Sequence, residues 1–415
     1  MNSVMPVKSK SAFLCVMVTF LIIFAVSCKK DDSDPISDSE HLVESSLILT
    51  YQLSTIQVLM TAQMILYPEI ADIISHLKYD VEVYRIKYKT IYRDSVVMAS
   101  GLACIPATSG SFPVMSFQNG TNTLHDNAPT VDPTSSGYAI MEFMTSTGYV
   151  VLMTDYIGFG ASEEIVHPYY HRNSTNNAVI DLIKAFRELG ETGRIRATAN
   201  DSLFLLGYSQ GGGATISALD AIENGNALDM EVIAVSAGAG AYDLIDFTNY
   251  VRALDNFPAP LYFPYFVYAH QQVGTISNPL STFFNEPYAA EIPGLFDGTL
   301  GNNSINDSLS TAIADLLTPA LITDFETADE YEDLRDALTD NSIYGWETEQ
   351  LVNLYHGTTD DNVPPGQSLT LYNEFIAEGS HPDLVHHYPL EGLGHGAGLL
   401  PWGIQTMNWF NSLKQ

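Results

Sequence analysis

Hydrophobic and polar positions fall into three regimes along the chain. From Ser46 to His76 apolar residues recur at roughly helical spacing, at Leu59, Ile65, Leu66 and Ile73, and Pro68 interrupts them, which predicts two helices packed on a main domain. Two β-rich runs follow, Val81–Tyr92 and Val96–Ile105, joined by Arg93-Asp94-Ser95 and closed by Pro106; they predict an antiparallel pair that opens a sheet. Beyond Pro106 short apolar runs alternate with helical stretches. Val114–Phe117, Val150–Met153, Leu203–Leu206, Val232–Ser236, Leu351–Tyr355 and Val385–Tyr388 have the continuous apolar character of strands covered on both faces. One intervening helix, around Ala178–Leu189, places Val179, Ile183 and Phe186 on a single face. The fold class expected is therefore α/β: about eight strands in a mostly parallel sheet with helices on both faces.

The alternation fails for about a hundred residues between Tyr242 and Glu347, a range with several helical segments, the aromatic run Leu261–Phe266 and no parallel-strand signal. An insertion of this kind predicts a helical cap above the strand ends, its aromatics lining a pocket or building the cap's own core. The organisation expected is residues 28–45 as an acidic flexible tether, 46–242 and 346–415 as the two parts of the core, and 243–345 as the cap. With 415 residues, 46% of them hydrophobic, the chain can bury a core of that size.

Charge narrows the possibilities. A formal charge of −32, from 17 Lys and Arg against 49 Asp and Glu, opposes binding to nucleic acid or to an anionic membrane surface. Lys8 and Lys10 precede an uncharged apolar segment, Ala12–Val26, too short for a bilayer span and of the length of a secretory signal, so residues 1–27 are expected to be a signal peptide. Ala25-Val26-Ser27-Cys28 resembles a bacterial lipobox, and Asp31, Asp32 and Asp34 resemble the acidic export tags of surface lipoproteins. That resemblance implies lipidation at Cys28, a place in the bacterial cell envelope on the outer membrane, and membrane contact only through the lipid. Cys15 and Cys28 fall in or beside the signal, which leaves Cys104 alone in the folded region and no intramolecular disulfide to form.

Candidate chemistry centres on Gly207-Tyr208-Ser209-Gln210-Gly211, between the apolar run Leu203–Leu206 and a helix that begins with Gly212, Gly213 and Ala214. In a G-x-S-x-G string the strand turns sharply into a helix, and a side chain at either flanking glycine would clash. A serine nucleophile needs a base, and the base needs a carboxylate to hold its tautomer. Asp360 and Asp361 follow one predicted strand in His356-Gly357-Thr358-Thr359-Asp360-Asp361-Asn362-Val363-Pro364. His395 follows the next in Gly392-Leu393-Gly394-His395-Gly396. His167 and His171 lie four apart without Cys or acids to complete a metal site, and Gly211-Gly212-Gly213 lacks the Lys-Ser/Thr of a phosphate loop, so neither metal nor cofactor is expected.

These motifs, with Asp155-Tyr156-Ile157-Gly158-Phe159-Gly160-Ala161-Ser162, resemble the α/β-hydrolase superfamily in content, order and spacing from about Val81 onward. Gly238-Ala239-Gly240-Ala241-Tyr242-Asp243-Leu244, ahead of the insertion, resembles its secretory lipase branch. The resemblance implies a serine hydrolase that cleaves carboxylic esters through an acyl-enzyme: Ser209 as nucleophile, His395 as base and then acid, and Asp360 as its carboxylate, with Asp361 the competitor. It implies oxyanion donors at the Gln210 N–H and in the loop Asn119-Gly120-Thr121, with the Thr121 N–H preferred; Asn119 stands where the family usually has histidine. Substrates implied are small-molecule, lipid or glycan esters. A peptidase or amidase on the same scaffold is the alternative, and recognition of a substrate amino terminus would need cap acids such as Glu286, Glu291 or Glu326 near the serine. A non-catalytic binding protein is a third reading, disfavoured because all three triad positions are filled.

Overall fold

The computed structural model describes residues 39–64, 66–225 and 227–414. The expected signal peptide, Cys28, most of the expected tether and Ile65 lie outside them. Among the described residues nine strands form one sheet: β1 (Leu42–Tyr51), β2 (Val81–Tyr92), β3 (Ser95–Pro106), β4 (Gly110–Gln118), β5 (Val150–Thr154), β6 (Ala197–Tyr208), β7 (Glu231–Gly238), β8 (Val352–Gly357) and β9 (Val385–Leu390). Their order is β1-β2-β3-β5-β4-β6-β7-β8-β9. The first three strands and the β3–β5 junction are antiparallel, and β4 to β9 run parallel.

The expected opening pair is the β2–β3 hairpin, in register from Val81↔Pro106 to Tyr92↔Ser95. Its turn residues Arg93 and Asp94 both have positive φ, 48° and 59°, the backbone that a two-residue turn needs to match the strand twist. The ninth strand is a correction: residues 42–51, expected as the end of a flexible tether and the start of a helix, form β1. This edge strand pairs only with β2, and most of its side chains are half-buried or exposed. Its apolar and polar residues consequently do not alternate cleanly, and pairing with β2 gives it the conformation its local pattern does not announce. Helices follow at Leu53–Gln63 and Ala71–Ser75.

Helices cover both faces. On one, Arg172–Glu191, Gln210–Glu223 and Gly366–Ala377 pack on Ile86, Leu152, Leu203, Leu205, Val235 and Leu354; on the other, Leu53–Gln63, Ser136–Met144 and His395–Leu413 pack on Val83, Cys104, Val151, Phe204 and Leu206. Alternate residues of one strand therefore face opposite cores, which is why the central runs read as continuously apolar. Between β7 and β8 the chain is helical and builds a separate core around Phe257, Phe283, Phe284, Ile305, Phe325 and Tyr331. Because the chain passes from β4 to β5 on one side and then to β6 on the other, the crevice beyond the carboxyl ends of β4 and β6 is the topological switch point where such sheets bind ligands.

One buried acid lies outside that crevice. Glu142, fully buried on Ser136–Met144 with neither carboxyl oxygen hydrogen-bonded, has its carboxyl pushed up to about 7 by burial, against the smaller opposing pull of the nearby Tyr51 hydroxyl. With the folded value above the unfolded one, the stability that the neutral acid contributes is complete below pH ~4.5 and is lost as pH rises through 7, by roughly 3 kcal/mol. Glu142→Gln is neutral at every pH. Relative to the parent it is expected to gain roughly 2–3 kcal/mol between pH 5 and pH 8, measured by urea unfolding at both.

Candidate active site

The turn at Ser209 is the most constrained backbone in the crevice. Ser209 has φ 61° and ψ −123°, a conformation that costs a non-glycine residue about 1–3 kcal/mol. Its neighbours explain how the conformation is held: a Cβ on Gly207 would sit 2.2 Å from the Gly211 carbonyl oxygen, and one on Gly211 would sit 2.0 Å from that of Gln118. Both glycines are thus required by backbone approaching backbone. The Ser209 N–H donates to the Gly238 carbonyl at 2.8 Å, and the Ser209 carbonyl accepts from Gly212 and Gly213, tying the turn to β7 and to its own helix.

The loops after β8 and β9 meet the serine. The His395 Nε2 lies 2.9 Å from Ser209 Oγ, and its Nδ1 lies 2.7 Å from Asp360 Oδ2. A carboxylate can only accept, so Nδ1 carries the proton and Nε2 is left to accept from the serine hydroxyl. Asp360 is buried, and its Oδ1 accepts the N–H groups of Asn362 (3.0 Å) and Val363 (2.9 Å). Burial would raise its carboxyl, but hydrogen bonds from His356 and His395, the His395 charge and the Val363 N–H together hold it well below the ordinary carboxylate range. Asp361 is exposed, and it is Asp360 that the His395 Nδ1 meets. The structure thus brings Ser209, His395 and Asp360 together and leaves Asp361 outside.

Three supports were not apparent in the sequence. Tyr208 donates its hydroxyl to the His395 carbonyl at 2.7 Å, so the serine turn also anchors the start of the helix His395–Leu413. His356 donates Nε2–H to the Val363 carbonyl (2.9 Å) and accepts at Nδ1 from Ser368 (2.7 Å), bracing the acid loop. His167 sits with Nδ1 2.7 Å from the Ile157 carbonyl and Nε2 2.9 Å from the Gln210 side-chain nitrogen, while His171 meets Ser174. These contacts join residues 12 to 187 positions apart, or at irregular local spacing, and have no periodic signature.

The predicted oxyanion loop lies beside the serine: a Cβ on Gly120 would be 3.8 Å from Ser209 Cβ and 3.4 Å from the Tyr208 carbonyl. Thr121 is braced by the Tyr169 hydroxyl at its Oγ1 (2.9 Å) and by Asn302 Nδ2 at its carbonyl (2.8 Å). Asn119 is buried, and its carbonyl accepts from Tyr156 at 3.2 Å. Gln210 is the first residue of its helix, so its N–H has no intrahelical carbonyl and is free to meet a developing negative charge. His125, also near this loop, packs against Phe159 and Gly298.

Above the serine the cap closes an apolar cavity of about 30 Å³ lined by Leu244, Phe247, Phe263, Phe266, Leu338 and Val363. The Tyr262 hydroxyl faces Ser209 and Asn362. No acid lines this cavity, and Glu286, Glu291 and Glu326 are exposed.

Sheet order, strained serine turn and strand-end loops define an α/β-hydrolase fold, as the sequence motifs implied. Residues 128–264 match the model of the secretory lipase family. Among solved structures, a hydrolase of Legionella pneumophila described as putative superposes with TM-score 0.78 at 24% identity, over 90% of this chain and 98% of that one. The rice cell wall degrading esterase LipA of Xanthomonas oryzae gives 0.76 at 22%, over 90% and 96%. Candida antarctica lipase A in its closed state gives 0.64 at 18%, over 89% and 82%. No curated protein matches the sequence.

The two neighbouring acids separate cleanly by experiment. Asp360→Asn is expected to slow modification of Ser209 by a fluorophosphonate about 10³- to 10⁴-fold, because the amide favours the wrong imidazole tautomer. Asp361→Asn should label within about twofold of the parent rate, read by intact-protein mass spectrometry over time.

Proposed function

We propose that the protein hydrolyses carboxylic esters through a serine acyl-enzyme. The observation that carries this reading is the aligned chain Ser209 Oγ, His395 Nε2 and Nδ1, Asp360 Oδ2, at 2.9 and 2.7 Å, opening into an apolar cavity. As Ser209 Oγ attacks the ester carbonyl carbon, its proton passes to His395 Nε2, and Asp360 stabilises the imidazolium. The carbonyl oxygen takes up negative charge against the Gln210 and Thr121 N–H groups. Collapse breaks the bond to the alcohol, which leaves with the proton from His395; water, deprotonated by the same imidazole, then attacks the acyl-enzyme and releases the acid.

Substrate class follows from the cavity walls. Aliphatic and phenyl side chains without a charge suit an uncharged acyl group, and the absence of an acid there disfavours recognition of a peptide amino terminus. The match to secretory lipases and the cell-wall activity in the name of the Xanthomonas esterase fit an ester hydrolase acting outside the cytoplasm. Residues 1–27 and Cys28 complete the proposal as signal peptide and lipid anchor, carrying the enzyme to the bacterial envelope.

Ser209→Ala is expected to reduce hydrolysis of p-nitrophenyl esters at least about 10⁴-fold. The parent should prefer esters over peptide p-nitroanilides across a panel of acyl lengths, and comparable anilide turnover would overturn the ester reading. Separately, Cys28→Ala should shift the protein from the membrane pellet to the soluble fraction of a bacterial host that processes lipoproteins.

A further inference from the structure

His167 comes from the loop after β5 and ends at Gln210, the residue after the proposed nucleophile. His167 is 5% exposed and Gln210 3%. A carbonyl can only accept, so the 2.7 Å contact with Ile157 requires the hydrogen on Nδ1. The neutral ring then has only a lone pair on Nε2, and the Gln210 amide must donate to it across 2.9 Å. Burial lowers the His167 pKa to about 4, which keeps this donor–acceptor order at neutral pH.

The ring itself is fixed from several directions. Phe159 and Tyr156 of its own loop lie 5.0 and 5.8 Å from it between ring centres, and Tyr265 of the cap lies at 5.8 Å. Gly158, at φ 95°, brings the loop so close that a Cβ there would be 2.4 Å from His167 Cα. The same loop is anchored at its start by Asp155, whose carboxylate accepts the hydroxyls of Ser100 and Thr130 at 2.5 Å and the Thr130 N–H at 2.9 Å. This loop thus grips the side chain of the residue whose backbone N–H follows Ser209.

We infer that His167 is a positioning residue that, through the Gln210 amide, fixes the Gln210 backbone N–H where the oxyanion forms. This rests on the ester-hydrolase reading above and adds a residue to it. Gln210 has three side-chain torsions; with its amide held, rotation about them no longer competes with the backbone orientation at the helix start. The effect belongs to the transition state, because a neutral ester carbonyl gains less from that donor than an oxyanion does.

The test is a double-mutant cycle on p-nitrophenyl ester hydrolysis with His167→Ala, Gln210→Ala and the double variant, beside His167→Gln and Ser209→Ala. His167→Ala and Gln210→Ala are each expected to lower kcat about 10- to 100-fold with KM within about threefold. The double variant should fall no more than about twofold below the worse single one. His167→Gln, which keeps an acceptor for the Gln210 amide, should recover most of kcat. Unchanged kcat in folded Gln210→Ala, or losses that multiply in the double variant, overturns the inference. If His167→Ala does not fold, Gln210→Ala and His167→Gln decide alone: losses in the first with recovery in the second support it, and any other pair of results overturns it. Turnover retained by Ser209→Ala overturns the ester-hydrolase reading itself, whereas activity abolished there with no coupling between positions 167 and 210 overturns only this inference.

Discussion

Backbone packed against backbone at the end of β6 is the constraint from which the site follows. Ser209 occupies a positive-φ conformation because Gly207 and Gly211 let the strand, the helix and the Gln118 carbonyl approach within distances that no Cβ tolerates. The strain is sustained by the Gly238 carbonyl on one side and by the first turn of the helix on the other. Once that turn is made, sheet order supplies the rest. Gln118 is in register with Gly207, so the loop after β4 must run past the serine, and β8 and β9 deliver their loops from the far side.

The charge arrangement depends on the same geometry. An ionised carboxylate with no exposed side-chain surface would be expensive in a chain already at −32. Asp360 remains ionised because two backbone N–H groups saturate one oxygen while two histidines face the other. His356 bonds Val363 and Ser368, which braces the loop that holds those N–H groups. Gly357 contributes sterically: a Cβ there would be 2.3 Å from the Leu393 carbonyl, which would push apart the loops that carry acid and base.

What could be read from the sequence was what is local. The glycine-flanked serine, the acid after one strand and the histidine after the next are short strings whose spacing reflects steric demands within a few residues. The central strands were legible because burial on both faces makes them uniformly apolar. β1 was not, since an edge strand takes its conformation from the ladder to β2. The supports of the site were equally hidden: Tyr208 reaches His395 across 187 positions, Gln210 reaches His167 across 43, and Asn302 reaches Thr121 across 181. Partners of that kind are chosen by the fold, and a single sequence carries no period that marks them.

The cap is where such long-range contacts concentrate, and they make it more than a cover. Tyr265 stacks on Tyr169 at 4.3 Å and on Phe296 at 4.6 Å, and donates its hydroxyl to the Asn122 carbonyl at 3.0 Å. Asn302 holds the Thr121 carbonyl, while Thr123 donates to Leu300 and Asn302. The loop beside Ser209 is therefore gripped from above by the element whose side chains wall the cavity. On the proposed ester-hydrolase reading, changes in the helix Tyr262–Val273 that admit a different acyl group also reach the Asn119–Asn122 loop, because Phe263 and Phe266 wall the cavity while Tyr265 bonds Asn122. On that reading acyl preference and turnover are coupled: a roomier cavity loosens the scaffold beside one of the two proposed oxyanion donors.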